Sequence, residues 1–251
     1  MALAHFRFYA ELNELLPARA RHRELAHAFQ APASVKDRIE AQGVPHTEAC
    51  LILVDGEPAG FERLLRDGDR VSVYPHLALL GSPHPLRPPP PRGSFVLDQH
   101  LARLAAYLRL LGQDAEHRVP FPDPELVRAA VDGRRVLLTR DKGVLMRREV
   151  VHGGFVRATD PHAQVVEVLH RFGAPETLAP FTRCMACNGV LAPARKAAVA
   201  PRLLPATLAN YERFWECPDC GRVFWEGPHV RRMRAWVEQW LAHPDVPRRQ
   251  Q

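Results

Sequence analysis

The chain has 251 residues, of which 46% are hydrophobic and 25% are charged, a composition typical of globular proteins. Its longest apolar runs, such as residues 51–54 and 77–80, are far shorter than the roughly 18 residues that a membrane span needs. The first residues lack the basic segment and apolar stretch of a secretory signal. We therefore expect a cytoplasmic protein with no membrane partner.

The net charge of +6 is unevenly distributed along the chain. Residues 1–80 carry 9 Lys and Arg against 11 Asp and Glu, residues 81–182 carry 14 against 11, and residues 183–251 carry 11 against 6. Clustered basic residues favour a polyanionic partner, because each phosphate that they neutralise releases counterions. The C-terminal two thirds therefore favour nucleic acid as the partner, with ordinary solvated surface charge as the alternative.

Residues 1–80 have the pattern of a small α+β domain. Apolar alternation predicts a strand at 4–9, and Ser34 begins a predicted helix at 34–41. Two further strands are predicted at Leu51–Val54 and Arg70–Tyr74, next to turns rich in Asp and Gly.

The same region resembles a known fold family. Segments 6–16, 34–37, 51–56 and 65–71 are similar to those of a ubiquitin-like β-grasp domain of the sulfur-carrier type. Carriers of that type end in a free Gly-Gly, whereas here Leu79-Leu80-Gly81-Ser82 is followed by more chain. We therefore expect a domain that docks a protein partner or positions RNA, and not a sulfur carrier.

A proline-rich stretch at 81–94 separates this region from the next. Its four consecutive prolines, residues 88–91, cannot donate backbone hydrogen bonds and favour a stiff polyproline II conformation. We predict a β-grasp domain at 1–80, a linker at 81–94, an α/β domain at 95–178 and a zinc ribbon with a C-terminal helix at 179–251.

Strand and helix patterns alternate after the linker, which favours a parallel sheet. The predicted strands are 95–97, 115–119, 135–139 and 155–158. The predicted helices are 100–111, 124–131 with Asp123 as its N-cap, and 162–171 with Asp160 and Pro161 at its start. The expected fold class is α/β.

Acidic residues follow the predicted strands. Asp98, Asp141 and Asp160 come at the ends of the strands predicted at 95–97, 135–139 and 155–158. Asp123 and Glu125 begin the helix predicted between the strands at 95–97 and 135–139. Active groups gather beyond the carboxyl ends of parallel strands, so we expect these residues at one edge. Converging carboxylates suit Mg²⁺ or Mn²⁺, which can activate water for phosphodiester hydrolysis. The alternative is that each acid caps a helix or shapes a turn, and it weighs most for Asp160.

Segments 95–98, 101–114, 123–126 and 133–141 resemble the Mut-seven C-terminal RNase family. That family is PIN-like, with a Rossmann-like sheet and an acidic metal site, and it is often fused to a ubiquitin-like domain and ends in a zinc ribbon. The resemblance implies ribonuclease activity, with Asp98, Asp123 and Asp141 as the metal-binding acids. Glu125 and Asp160 are kept as additional acids.

Three arginines, Arg103, Arg109 and Arg140, lie on or beside the same segments. Their planar guanidinium groups suit phosphates, so we expect them to contact RNA. The alternative for Arg103 and Arg109 is the solvated face of an amphipathic helix.

Two C-x-x-C pairs, Cys184 with Cys187 and Cys217 with Cys220, are separated by residues 188–216. Paired knuckles of this kind predict a tetrahedral zinc site, and four thiolates leave no open position, so the zinc is expected to be structural. Disulfides are disfavoured in a reducing cytoplasm, and a redox motif does not explain two copies. The flanking segments 184–189 and 223–229 also resemble the ribbon of the same family.

The sequence therefore predicts a ribonuclease that uses Mg²⁺ or Mn²⁺ and acts on RNA. The alternative is a non-catalytic RNA-binding or ribosome-associated adaptor that binds RNA through its ribbon and basic face. A final helix with apolar residues at one face, among them Val230, Met233, Trp236, Val237 and Trp240, is suited to docking.

Overall fold

A computed structural model describes residues 1–75, 85–173 and 175–246. The chain forms two compact units: Met1–Pro90 with Asp123–Phe155, and Pro91–Pro122 with Val156–Gln251. The predicted end of the first domain and start of the linker, including Leu79-Leu80-Gly81-Ser82, lie outside the described residues. Among the described residues, no helix has the length and apolar character needed to cross a membrane.

The elements are numbered in chain order. The strands are β1 Ala2–Phe8, β2 Glu24–Phe29, β3 Leu51–Val54, β4 Glu57–Pro58, β5 Arg70–Tyr74, β6 Ser94–Leu97, β7 Asp114–Glu116, β8 Val136–Thr139, β9 Gly153–Phe155, β10 Ala192–Ala194, β11 Phe214–Glu216 and β12 Val223–Trp225. The helices are α1 Leu12–Leu15, α2 Val35–Ala41, α3 Ala102–Leu110, α4 Asp123–Asp132, α5 Lys142–Leu145, α6 Pro161–Phe172, α7 Lys196–Val199, α8 Pro205–Asn210 and α9 Pro228–Ala242.

The first five strands form one mixed sheet in the order β2-β1-β5-β3-β4. Strands β1 and β5 pair in parallel at its centre, and the outer neighbours pair antiparallel. Phe6 and Phe8 of β1 are buried against Ile39 of α2, and each such burial contributes about 1.5–3 kcal/mol. Ser34 caps α2 as predicted, because its hydroxyl accepts the Asp37 N–H at 3.1 Å. This topology confirms the predicted β-grasp fold.

The first unit also contains α4, β8, α5 and β9, and the contacts of these elements with the β-grasp domain are specific. The carboxylate of Glu48, which is 2% exposed, accepts the N–H of Phe155 at 2.7 Å. The His46 ring lies between two acceptors, with Nδ1 2.6 Å from Glu40 Oε1 and Nε2 3.0 Å from the Val150 carbonyl. Lys142 donates to the carbonyl of Leu15 at 2.5 Å. The β-grasp domain is therefore bonded to the segment that follows β8.

Two residues of the predicted linker, Leu86 and Arg87, contact the β-grasp domain. Arg87 donates to the carbonyls of His46 and Thr47, both at 2.7 Å, and to that of Ala49. Leu86 packs partly buried against the β-grasp core. This part of the proline-rich stretch is therefore held by side-chain contacts.

The strands of the α/β region pair in parallel, as predicted: β6 with β7 in the second unit, and β8 with β9 in the first. The strand predicted at 155–158 is misplaced, since β9 ends at Phe155. Beyond it, the N–H groups of Arg157 and Ala158 donate to the Glu167 carboxylate at 2.9–3.1 Å. Helix α4 begins at Asp123 itself, one residue earlier than predicted.

In the second unit, the last helix packs on α3 and α6. Trp240 of α9 is 1% exposed, and its ring centroid lies 5.2 Å from that of Tyr107 and 5.4 Å from that of His162. Val237 is also buried, whereas Val230 and Met233 are half-buried. The apolar face predicted for this helix therefore docks within its own unit through its C-terminal half.

Gly112 fixes the approach of the chain after α6 to the end of α3. Its φ is +82°, and a Cβ there would lie 2.2 Å from the Ala179 carbonyl oxygen. Backbone hydrogen bonds from Ala179 to Leu111 and from Phe181 to Leu110 join the two segments at 3.0 and 2.9 Å. Only glycine allows this approach at this conformation.

Candidate functional site

The four predicted zinc ligands come together at one point of the second unit. The Sγ atoms of Cys184, Cys187, Cys217 and Cys220 all lie within 4.8 Å of one another. The Sγ distances are 3.7 Å between Cys184 and Cys220 and 3.3 Å between Cys187 and Cys217. A tetrahedron with Zn–S bonds of about 2.3 Å places its sulfurs about 3.8 Å apart, so the donor set fits zinc.

Each cysteine pair is held in a tight turn. In the first, the Cys184 N–H donates to the Gly189 carbonyl at 2.8 Å and the Asn188 N–H donates to the Cys184 carbonyl at 2.9 Å. In the second, the corresponding bonds join Cys217 to Arg222 and Gly221 to Cys217. Asn188 and Gly221 both have positive φ. Backbone hydrogen bonds thus preform both knuckles.

The pKa values of the thiols reflect their crowding. Burial raises the pKa of Cys184, and burial raises the pKa of Cys187 to about 12 from an ordinary value of 9.0. At Cys220 the backbone hydrogen bond of Arg222 lowers the pKa to about 7. Zinc binds thiolates, so loading the site displaces the protons that these thiols hold.

Arg109 has a structural role, which corrects its prediction as an RNA contact. It is 4% exposed, and its guanidinium donates to the carbonyls of Ala115, Met185 and Ala186 at 2.8–3.1 Å. Two of these carbonyls lie inside the first C-x-x-C turn. Desolvation lowers the pKa of Arg109, and the neighbouring thiolates act in the opposite direction. Arg109 therefore joins α3 to the zinc knuckle and cannot reach RNA.

Asn188 is a second anchor, which the sequence analysis missed. Its Oδ1 accepts the Ala115 N–H at 3.0 Å and its Nδ2 donates to Asp114 Oδ1 at 2.6 Å, so its amide bonds the outer edge of β7. The sequence signal was the Asn-Gly pair directly after Cys187, which is typical of a turn with positive φ.

In the first unit, Asp141 lies two residues after the end of β8, and Asp123 and Glu125 lie in the first turn of α4. The Asp141 N–H donates to Thr139 Oγ1 at 2.9 Å, and its Oδ1 accepts the Gly143 N–H at 2.7 Å. Asp123 and Asp141 are exposed. The carboxylate of Asp141 is thus oriented at the end of a parallel strand.

In the second unit, Asp98 directly follows β6 and is 8% exposed. Its Oδ1 accepts the His100 N–H at 2.8 Å. Asp160 caps α6, with Oδ1 accepting the N–H groups of His162 and Ala163 at 3.0 and 2.9 Å, so the cap alternative is confirmed for this residue. Asp98 and Asp141 also cap the helical turns that follow them, as the alternative for these residues predicted. Convergence of the acids on one site stays a prediction.

The remaining predicted RNA contacts, Arg103 on α3 and Arg140 after β8, are both exposed. Their exposure distinguishes these two arginines from the buried Arg109.

Comparison with known proteins accounts for most of the chain. The family model described as the Mut7-C RNAse domain matches residues 93–237, more than half of the 251 residues. The chain belongs to the Mut7-C RNase domain family. A second model, Mut7-C ubiquitin, matches residues 1–80. The Mut7-C RNase domain thus contains α3, the acids and the cysteine cluster, and the Mut7-C ubiquitin domain is the β-grasp sheet.

Two crystal structures also match part of the chain. Both are of small archaeal modifier protein 1 from Haloferax volcanii, with 21% and 18% sequence identity. Each match covers 31% of this chain and 100% or 98% of the other, with a TM-score of 0.26. No curated protein matches the chain.

Proposed function

We propose that this chain is a metal-dependent ribonuclease that hydrolyses RNA phosphodiester bonds. The observation that carries the proposal is the match of residues 93–237 to an RNase domain family. The placement of Asp98 and Asp141 supports it, because each lies within two residues of the end of a strand in a parallel pair, where active groups of α/β proteins gather.

Asp98, Asp123 and Asp141 would hold Mg²⁺ or Mn²⁺, with Glu125 as an additional ligand. Carboxylate oxygens are the donors that these hard cations prefer. The bound cation would neutralise the acids and supply an activated water for attack at phosphorus.

The chain itself would orient the acids and the RNA. The His100 N–H donates to Asp98 Oδ1, and the Gly143 N–H donates to Asp141 Oδ1. Both carboxylates are therefore oriented before a cation binds. The exposed guanidinium groups of Arg103 and Arg140 would bind phosphates of the RNA strand. The Cys₄ site has no open coordination position, so zinc would act only on structure.

A cleavage assay on single-stranded and structured RNA tests the proposal. Asp98→Asn and Asp141→Asn remove the negative charge, and because Asn caps about as well as Asp, the local hydrogen bonds are kept. We expect each change to lower the cleavage rate by about a hundredfold or more, while RNA affinity stays the same. Asp132→Asn, an exposed change at the end of α4, is the matched control and should cleave normally.

The metal requirement is tested by omitting Mg²⁺ and Mn²⁺ while the zinc content is measured. Cleavage should stop although zinc is retained. Full RNA binding without any cleavage by the unaltered protein, on a broad panel of RNAs, would contradict the proposal and would favour the adaptor.

A further inference from the structure

The zinc ribbon has an apolar cavity beside it that the proposed hydrolysis does not use. The cavity has a volume of about 280 Å³ and lies between the end of α3, the ribbon strands and α9. Trp215, Phe224 and Trp225 line it from β11 and β12, and Val230 and Met233 line it from α9. All five side chains are half-buried, so their apolar surface remains accessible.

The rim of this cavity carries positive charge. Arg183 and Arg234 line it; half-buried Arg183 donates to the Gly112 and Asn188 carbonyls at 3.3 and 2.9 Å, and the exposed Arg234 guanidinium lies 5.5 Å from the centre of the Phe181 ring. Glu226, the acidic residue among the lining side chains, is bonded to Arg234 at 2.5 Å and to Arg213 at 3.0 Å. Because the one carboxylate of Glu226 pairs with the guanidinium groups of both Arg213 and Arg234, the net charge of these three side chains is positive.

Aromatic walls with a cationic rim suit a base attached to a phosphate backbone. Bases stack on aromatic side chains whatever their sequence, because every base has a π-face. The volume is at the lower end of the range for small-molecule pockets, about 300 Å³, which suits one ring system. An apolar peptide side chain would fit the walls but would gain nothing from the arginines, and residues 183–251 carry 11 Lys and Arg against 6 Asp and Glu.

We propose that this cavity, defined by Trp215, Phe224, Trp225, Val230 and Met233, binds a nucleobase of single-stranded RNA. The base stacks on the ribbon rings while the arginines face its phosphates. The site holds the strand and takes no part in hydrolysis. The identity of the ligand as RNA rests on the proposed function, but base binding is measured without cleavage.

The test compares an ordinary single-stranded RNA oligonucleotide with an abasic one of the same length, using fluorescence polarisation on the zinc-loaded protein. The two ligands share their phosphates and differ in their bases. We expect the unaltered protein to bind the ordinary RNA about tenfold more tightly, as stacking on aromatic side chains provides. Binding of the ordinary RNA should also quench the fluorescence of Trp215 and Trp225.

Two variants assign that preference to the cavity. Phe224→Leu removes a ring but keeps the wall apolar, and Val230→Met keeps every ring and extends a flexible side chain into the space. Both should lose most of the tenfold preference and keep their affinity for abasic RNA. Phe172→Leu, a half-buried ring at the end of α6, is the control and should keep the preference.

Zinc content and melting temperature identify any variant in which the ribbon has unfolded. In that case the variant that stays folded shows whether the base preference depends on the cavity. Equal affinity of the unaltered protein for ordinary and abasic RNA, or a preference that survives in a folded variant, would overturn the proposal. Base preference without any cleavage would leave it standing and would count against the proposed ribonuclease alone.

Discussion

Arg109 lies where α3 meets the first zinc knuckle, and its burial makes its hydrogen bonds costly to lose. The guanidinium, of a residue that is 4% exposed, donates to the carbonyl groups of Ala115, Met185 and Ala186. Removal of the side chain leaves these acceptors unpaired, and an unsatisfied buried polar group costs about 1–3 kcal/mol. The same guanidinium also offsets the negative charge of the neighbouring thiolates.

We expect Arg109→Met to lower the free energy of unfolding by about 2–3 kcal/mol and to speed the release of zinc to a chelator. Chemical denaturation and a colorimetric zinc assay measure the two effects. Arg103→Met, an exposed change on the same helix, should cost less than about 0.5 kcal/mol. Equal stability of the two variants would show that the bonds of Arg109 contribute nothing to the knuckle.

The secondary-structure elements that the sequence predicts correctly are those with a clear helix cap or a continuous apolar run. The Ser34 cap and the apolar runs of β6 and β8 predict their elements from residues that are neighbours in sequence. Strand β2 was not predicted, because polar and apolar residues do not alternate regularly in its sequence, ELAHAF. Strand β9 begins with two glycines, which have no side chain to indicate a strand, and a Cβ at Gly153 would lie 2.6 Å from Leu145 Cδ2.

The zinc ribbon is the element whose ligands the sequence predicts fully, because the ligand spacing is local within each knuckle. We expect one zinc ion per chain by elemental analysis, and its loss in Cys184→Ser and Cys217→Ser. The affinity for zinc should fall as the pH is lowered, since burial holds protons on Cys184 and Cys187 that zinc must displace.

Cys50→Ser is the control for this prediction, because Cys50 lies outside the cluster, and it should retain zinc. Full zinc content in the Cys184 and Cys217 variants would contradict the assignment of the ligands.

At the scale of the whole molecule, the β-grasp domain is bonded to the segment after β8. The bonds join Glu48 to Phe155, His46 to Val150 and Leu15 to Lys142, residues that are more than 100 positions apart. The spacing of apolar residues along a strand or helix does not specify contacts between residues so far apart in sequence. The sequence alone therefore does not predict these contacts. For the same reason, local patterns place acids at strand ends but do not specify whether they converge.

We expect Glu48→Ala to lower the free energy of unfolding by about 2 kcal/mol, because the N–H of Phe155 loses its side-chain acceptor. Hydrogen exchange of the peptide around Phe155 should also become faster. Glu57→Ala, an exposed change on β4, is the matched control and should alter neither quantity. Unchanged exchange in the Glu48 variant would show that this contact does not hold the two parts together.

We propose that Asp98, Asp123 and Asp141 hold one hard cation, as the proposed ribonuclease requires. Electron paramagnetic resonance of Mn²⁺ tests it without any knowledge of the RNA substrate, since bound Mn²⁺ loses the sharp signal of the free ion. With the Cys₄ site already loaded with zinc, the unaltered protein and Asp132→Asn should bind Mn²⁺, and the double variant Asp98→Asn with Asp141→Asn should not. Equal Mn²⁺ binding by the double variant, or none by the unaltered protein, would contradict the account.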